Sequence, residues 1–277
     1  MRQDYLRCTY SKMGRDGIRR RFPEDSRGFT LVEVLISLSV FLIILFAIYT
    51  SFETSRSTYA AGEQKADIQQ NARVAMELMG ADLRLAGFGF PTGAGNAITA
   101  ASATSISFRA DLSGASTTIM NVDVNPGDTT FNVEDASGIQ VGDAIYLING
   151  AQWEQLTVQA VNTGVNPNTI TTTTGAANAY PWGSQVGRPR SVTYSWAGNT
   201  VSKDDGEGGG LQPLADTIQN LQLQYFDAND VPIATPVTAG NLPNIRRMTI
   251  TVTVQSPAGW WRQQNFAIAS DIRPRNL

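Results

Sequence analysis

The sequence contains no histidine and a single cysteine, Cys8, among its 277 residues. The absence of histidine removes the commonest general base and the commonest metal ligand. Because the only thiol lies at residue 8, the chain beyond residue 28 can form no internal disulfide and has no thiol nucleophile. Lys65 and Lys203 are the only lysines in that part, and neither lies in a recognisable catalytic motif. We therefore expect no enzymatic activity, no catalytic residue, no cofactor and no metal.

Positive charge is also scarce beyond the N-terminus. Residues 1–28 hold eight Lys/Arg and four Asp/Glu, which leaves 13 basic and 20 acidic residues for the rest of the chain. An acidic surface argues against nucleic acid as a partner, because phosphate binding needs basic side chains. A basic segment immediately before an apolar run keeps the N-terminal side in the cytoplasm.

The apolar run covers residues 29–52, of which 18 are apolar or aromatic. A bilayer core requires about 20 residues of helix, so this run is long enough to span it. The apolar core of a secretory signal peptide has only about 7–15 residues. We expect a transmembrane segment rather than an ordinary cleaved signal, with a plain single-pass anchor as the alternative.

One acid, Glu33, interrupts this run, and the sequence before it is Arg27-Gly28-Phe29. A carboxylate inside a membrane segment costs about 2.5–3.5 kcal/mol on insertion scales and is by default functional. The pattern resembles the prepilin cleavage and methylation site of type IV pilins and of the pseudopilins of type II secretion. The resemblance implies that prepilin peptidase cuts after Gly28, that Phe29 is N-methylated, and that Glu33 docks on the N-terminal amine of a neighbouring subunit.

Helical periodicity continues beyond the membrane run. No proline occurs between residues 24 and 90, and Gly87 followed by Pro91 ends the pattern. We predict a continuous helix from Phe29 to Ala86. Its second half has one buried stripe at three- and four-residue spacing, made by Ile68, Ala72, Ala75, Leu78, Met79, Leu83 and Ala86. Charged residues, Asp82 among them, lie between these positions.

The helix end has the sequence Ala81-Asp82-Leu83-Arg84-Leu85-Ala86-Gly87-Phe88. This segment resembles the corresponding helix ending of PilW-type minor pilins and, more loosely, of GspJ-type minor pseudopilins. The alternative is an amphipathic helix with an ordinary glycine C-cap. The order of the last strands and the terminal Arg275-Asn276-Leu277 are similar to the same group.

From residue 92 the composition indicates β-structure. Alternation predicts strands at 104–108, 221–226, 247–255 and 266–272, and a hairpin formed by 143–148 and 153–161. Thr169 to Thr174 is a threonine tract. Residues 125–162 are interpreted as an inserted small β module without an assigned function.

Two further patterns have both a functional and a purely structural interpretation. Asp204-Asp205-Gly206-Glu207 could supply oxygen ligands to calcium, but acidic glycine-rich runs are more often solvated turns. The five tryptophans could form an adhesive surface, although core packing explains most tryptophans equally well. Trp260 and Trp261 are adjacent, so in a strand they would point to opposite faces and one would be exposed.

These patterns together predict an α+β, pilin-like lollipop. Its parts are a cleaved leader (1–28), a long helix (29–90, with 29–52 transmembrane) packed on a mostly antiparallel β-sheet, and a β-rich periplasmic or extracellular head (91–277). The resemblance implies a minor pilin that helps to prime a type IV pilus and is incorporated into it, at the tip.

The implied partners are prepilin peptidase, other minor pilins, the major pilin, the inner-membrane assembly platform and, before assembly, membrane lipid. The implied location is the inner membrane, with the N-terminus cytoplasmic and the head periplasmic, and afterwards the surface pilus. Two alternatives stay open: a minor pseudopilin of a type II secretion system, and a membrane-anchored adhesin or binding module.

Overall fold

A computed structural model describes residues 28–255 and 265–277. The predicted leader up to residue 27 and the pair Trp260-Trp261 therefore lie outside the described residues. The chain divides into two compact units, residues 1–54 and 55–277. Within the described residues one helix, α1 (Leu31–Arg84), precedes a long series of strands.

The strands follow in chain order: β1 (Ile98–Ala101), β2 (Ser105–Ala110), β3 (Thr117–Thr118), β4 (Thr130–Val133), β5 (Ala144–Asn149), β6 (Gln152–Asn162), β7 (Asn168–Thr172), β8 (Gln185–Gly187), β9 (Arg190–Ala197), β10 (Thr200–Asp204), β11 (Gln212–Ala215), β12 (Ile218–Phe226), β13 (Pro232–Ile233), β14 (Arg247–Gln255) and β15 (Asn265–Ile272). A short 3₁₀ helix at Leu242–Asn244 lies between β13 and β14. All strand pairs in the described sheets are antiparallel. The expected α+β class, a long N-terminal helix followed by an antiparallel β head, is confirmed.

The second half of α1 supplies one layer of the main core. Ala72, Ala75, Met79, Leu83 and Ala86 of the predicted stripe are buried, and Ile68 is partly buried. The prediction was wrong for Leu78, which is 37% exposed. Met76 is buried instead, because a stripe on a 3.6-residue helix drifts and Met76 lies three residues before Met79.

Two sheets complete this core. The five-stranded sheet has the order β1-β2-β9-β10-β11, and the four-stranded sheet has the order β13-β12-β14-β15. Strand β14 has the alternation that its sequence predicts: the residues from Met248 to Val254 alternate between buried apolar and half-buried polar side chains. We call these two sheets with the second half of α1 the head.

The inserted β module is present and larger than predicted. A six-stranded sheet with the order β3-β8-β5-β6-β7-β4 is inserted between β2 and β9, which pair directly with each other. Its apolar core extends from Ala115 to Val186 rather than from 125 to 162, and is separate from the core of the head. Sequence reasoning missed strands β3 and β8, because they have only two and three residues and are too short for a period-2 signal.

The module's sheet closes on itself. A bridge pairs Ile119 with Val133, Met120 N donates to Asn132 O at 2.9 Å, and Glu134 N donates to Thr118 O at 3.0 Å. These contacts join the two end strands, β3 and β4, so the module is a small antiparallel barrel. Closure removes exposed strand edges.

Candidate assembly site

The predicted processing site lies at the first described residues. Gly28, Phe29 and Thr30 are exposed and precede α1 without regular structure. Thr30 caps the helix, because its Oγ1 accepts a hydrogen bond from Glu33 N at 3.3 Å and its carbonyl accepts one from Val34 N at 3.2 Å. The sequence Thr-x-x-Glu matches the capping box, in which the acid also interacts favourably with the helix N-terminus. Glu33 thus lies in the first turn of α1, at the acidic position of a capping box, a placement that sequence reasoning missed.

The apolar run is helical from Leu31 onwards and is unburied within the described chain. The most apolar 18-residue window of α1 has none of its residues buried, so this part of α1 differs from the buried helix of a soluble core. By length and composition, this is the one described helix that could cross a membrane. Both findings fit membrane anchoring through residues 29–52.

The helix-end motif contributes a buried charge to the head. Asp82 is 8% exposed, and its Oδ2 accepts hydrogen bonds from Tyr194 Oη at 2.5 Å and from Lys203 Nζ at 2.7 Å. Burial raises the pKa of the Tyr194 hydroxyl well above its usual value, and the neighbouring Asp82 carboxylate raises it further. Sequence reasoning gave Asp82 no role of its own; a lysine in β10 and a tyrosine in β9 compensate its burial.

The same motif meets the C-terminus. Gly87 has φ +86°, and a Cβ placed on it would come within 2.4 Å of Asn276 O. The backbone of Arg275 donates to Arg84 O at 3.3 Å, and Leu277 packs on the main core. Sequence reasoning treated the helix end and the terminal Arg-Asn-Leu as two separate resemblances. The structure brings them into one contact.

Four charged side chains connect the module to the head. Arg188 pairs with Asp143 of the module and, through Nη2, with Glu207 Oε2 at 3.0 Å. Arg190 Nη2 lies 2.6 Å from Asp143 Oδ1 and 3.2 Å from Glu207 Oε2. Burial alone would lower the pKa of Arg188, but Glu207 and Asp143 outweigh this and raise it. Two positive and two negative side chains thus balance each other at the junction.

This network also explains the acidic run at residues 204–207. Glu207 is engaged by two arginines, and Asp204 and Asp205 accept hydrogen bonds from Gly206 N and Glu207 N. Among the residues that the structure describes, no group of three His, Cys, Asp or Glu could hold a metal ion. The run is therefore a turn that also anchors Arg188.

The described tryptophans have different environments. Trp196 Nε1 donates to Ile218 O at 2.9 Å, and the Trp153 ring lies 6.2 Å from the ring of Tyr146. Trp182, in the turn before β8, is 63% exposed, and its backbone N donates to Asp123 Oδ1 at 2.7 Å. Packing accounts for the first two, whereas Trp182 is displayed on the surface of the module.

Comparison with known proteins agrees with the N-terminal site. Residues 25–49 match the prokaryotic N-terminal methylation motif. Over 62 residues the chain is 37% identical to the pilin-like protein PilA3 of Thermus thermophilus. That match covers 22% of this chain and 26% of the relative. No solved structure matches. The motif and the match support a type IV pilin-like protein, a class of structural subunits, and processing by a prepilin peptidase.

Proposed function

We propose that the chain is a PilW-type minor pilin that helps to prime a type IV pilus and is incorporated at its tip. One observation carries the proposal: a methylation motif at residues 25–49 leads into an exposed apolar helix that has one acid in its first turn. The narrower PilW-type assignment rests on the resemblance of the helix-end motif and of the terminal Arg-Asn-Leu.

The proposed mechanism begins with processing. Prepilin peptidase cleaves after Gly28 and methylates Phe29, and residues 29–52 hold the subunit in the inner membrane with the head in the periplasm. Residues 1–28 are thus a leader, 29–90 the helix, and 91–277 the β-rich part, which includes both sheets of the head and the module. Glu33 then pairs with the N-terminal amine of a neighbouring minor pilin, because a carboxylate in an apolar environment is unfavourable until it is paired. The major pilin is added beneath this complex by the assembly platform.

Replacement of Glu33 by glutamine separates docking from helix formation. Glutamine also serves at this position of a capping box, so Glu33→Gln keeps the helix start and removes only the charge. We expect the variant to be processed and inserted normally and to restore pili to a deletion strain poorly. The matched control is Glu53→Gln, an exposed acid of the same helix beyond the apolar run. Normal pilus numbers with Glu33→Gln would contradict the docking role.

A clean deletion of the gene, scored in parallel for surface pili and for secreted proteins, tests the filament system. Loss of pili with intact secretion supports a minor pilin. Loss of secretion with intact pili would instead assign the chain to the pseudopilins of type II secretion. Mass spectrometry of the mature N-terminus checks processing independently: it should begin at methylated Phe29.

The module favours a second candidate function, surface adhesion. It has its own core and displays Trp182, and an exposed aromatic ring can bind apolar faces of a surface ligand. Trp182→Ala should then reduce attachment of piliated cells while pilus number stays constant. Unchanged attachment would leave the module without this role.

A further inference from the structure

A pocket of about 200 Å³ opens beside the C-terminal end of α1. Three segments line it: the loop 90–98 that follows the helix, residues 242–246, and residues 276–277. The lining includes Ile98 and Leu242, which are buried in the main core, so the floor of the pocket is apolar. The proposed assembly role does not use this pocket.

The pocket lies away from the break in the described chain. Arg246 at its rim directly precedes β14, whereas the break follows Gln255, at the other end of that strand. At about 3.3 Å per residue, the two ends of β14 are roughly 25 Å apart. The shape of the pocket is therefore set by described residues.

Positive charge is concentrated around the pocket. Arg246 lines it, and Arg109 lies at its wall, with Cζ 4.8 Å from the centroid of the lining Phe90 ring. Arg275 directly precedes the lining residue 276. Within the described chain no Asp or Glu lines the pocket, and none of these three arginines forms an ion pair. The carboxylate of Leu277 is the one negative group at the rim, so the balance of charge is positive and favours an anionic ligand.

The guanidinium of Arg246 is fixed at the rim with half of its donors unused. Its Nη1 donates to Pro243 O and to Ile245 O, both at 2.8 Å. Among the described residues, Nε and Nη2 donate to no acceptor. These two nitrogens form the planar fork that binds both oxygens of a carboxylate at once. A carboxylate on this fork leaves the rest of its molecule within reach of the apolar floor.

We propose that this pocket binds a carboxylate carried on a compact apolar body, with the carboxylate on Arg246 and the body on Ile98, Leu242 and Ile245. An apolar cavity with a few polar groups that fix orientation is the usual form of a small-ligand site. Two sources carry this chemistry, a free small acid and the C-terminal residue of a partner protein. The proposal goes beyond the proposed function and does not depend on it.

Titration of the full-length chain in detergent micelles with 3-phenylpropanoate tests the ligand class. The matched probe 3-phenylpropanamide has the same apolar body without the charge. We expect saturable binding of the carboxylate, and binding of the amide that is weaker by about tenfold or more. No binding of the carboxylate, or equal uptake of both probes as partition into the micelle would produce, overturns the proposal.

Substitutions of Arg246 test the site itself. Arg246→Gln should weaken binding of 3-phenylpropanoate by about tenfold or more, and Arg246→Lys should recover only part of this, because lysine keeps the charge but has no fork. The matched control is Arg273→Gln, which removes the charge of an exposed arginine outside the pocket. An equal loss in Arg246→Gln and Arg273→Gln would show a diffuse field instead of a site and would overturn the proposal.

A third variant tests the cavity without changing any charge. Ala97 lines the pocket and is half-buried, so Ala97→Leu occupies part of its volume and should abolish binding while the circular dichroism spectrum stays that of the wild type. Undiminished binding in a folded Ala97→Leu chain would contradict the proposed position of the ligand. If this variant does not fold, the exposed Arg246 decides the question alone.

Peptide probes distinguish the two sources. The tetrapeptide acetyl-Gly-Ser-Gly-Phe is compared with its C-terminal amide and with 3-phenylpropanoate. Tighter binding of the acid peptide than of 3-phenylpropanoate supports the C-terminus of a partner protein, and weaker binding supports a free acid. An amidated peptide that binds as tightly as the acid peptide would contradict recognition of a carboxylate.

Discussion

Asp82 places a negative charge inside the head, where Lys203 and Tyr194 both contact the same carboxylate oxygen. A buried pair of this kind is costly to form but is much costlier to break on one side. The charge thus fixes where the end of α1 lies on β9 and β10, while the apolar stripe supplies most of the burial.

Removal of the Asp82 charge should destabilise the head. Asp82→Asn leaves the Lys203 ammonium without a counter-charge, and we expect a loss of about 2–3 kcal/mol in the free energy of unfolding, less than for a fully buried pair because Lys203 is partly exposed. Urea denaturation of the full chain in micelles measures it. Asp82→Asn with Lys203→Met completes a double-mutant cycle and should recover part of the loss. Additive effects would show that the pair contributes no coupling.

Asp111 predicts how stability depends on pH. Burial alone would raise the pKa of Asp111, but hydrogen bonds from Ser116, Ser113 and Ala115 outweigh it and lower the pKa below 3.8. A lowered pKa in the folded state stabilises the fold at pH values above the unfolded pKa, and this contribution disappears as pH falls through the folded pKa. Asp111→Asn should therefore lose about 1–3 kcal/mol at neutral pH.

The difference between wild type and Asp111→Asn should then shrink below about pH 4. Denaturation curves recorded at several pH values test this. Asp135→Asn is the control, because Asp135 accepts similar hydrogen bonds from Ser137 but is fully exposed. A pH-independent difference for Asp111→Asn would mean that shape rather than charge matters there.

At the scale of elements, the end of α1 is decided by backbone geometry and by the C-terminal tail together. Gly87 adopts a left-handed conformation that ends the helix, as glycine does most readily. The backbone of Asn276 approaches Gly87 so closely that no side chain fits at residue 87. The element boundary and the position of the tail are consequently one feature.

Two substitutions of glycine by alanine, one within α1 and one just after its end, should have opposite effects on the stability of the fold. Gly87→Ala combines a strained φ with a clash against Asn276 O, and we expect a loss of more than about 1 kcal/mol. Gly62→Ala is the control: Gly62 is exposed in mid-helix with no atom within 4 Å of the new Cβ. Because alanine favours helix by about 1 kcal/mol over glycine, this variant should be neutral or more stable. Thermal unfolding measures both, and equal effects would contradict the argument.

At the scale of the molecule, the head and the module are two cores on one chain. Ala110 of β2 pairs with Arg190 of β9, so the chain leaves the head and returns at adjacent positions. The module closes its own sheet, and the arginine network balances its charges where it meets the head. An insertion of this kind adds a surface without disturbing the sheet that carries it.

Excision of the module should leave the head folded. We expect that replacement of residues 112–188 by a short turn preserves helix and sheet content by circular dichroism, because β2 and β9 already pair as a hairpin does. The variant should also be processed and inserted like the wild type. A protease-sensitive or aggregated product would show that the head depends on the module for its stability.

The sequence alone determined the features that depend on local periodicity. The limits of α1 to within two residues of Phe29 and Ala86, the hairpin of β5 and β6 to within one residue, and the full extent of β14 follow from side-chain spacing, because a helix or strand exposes one face at a fixed period. Residues 28–33 likewise form a contiguous motif, so the candidate processing site could be found without any tertiary contact.

Only the tertiary structure decided which distant residues meet. It buried Asp82 against Lys203 and Tyr194, placed Asn276 on Gly87, closed the module through strands too short to show a period, and put β15 at the end of the four-stranded sheet. Each of these depends on strand order and register. One sequence contains no signal for such pairings, because they join residues far apart along the chain.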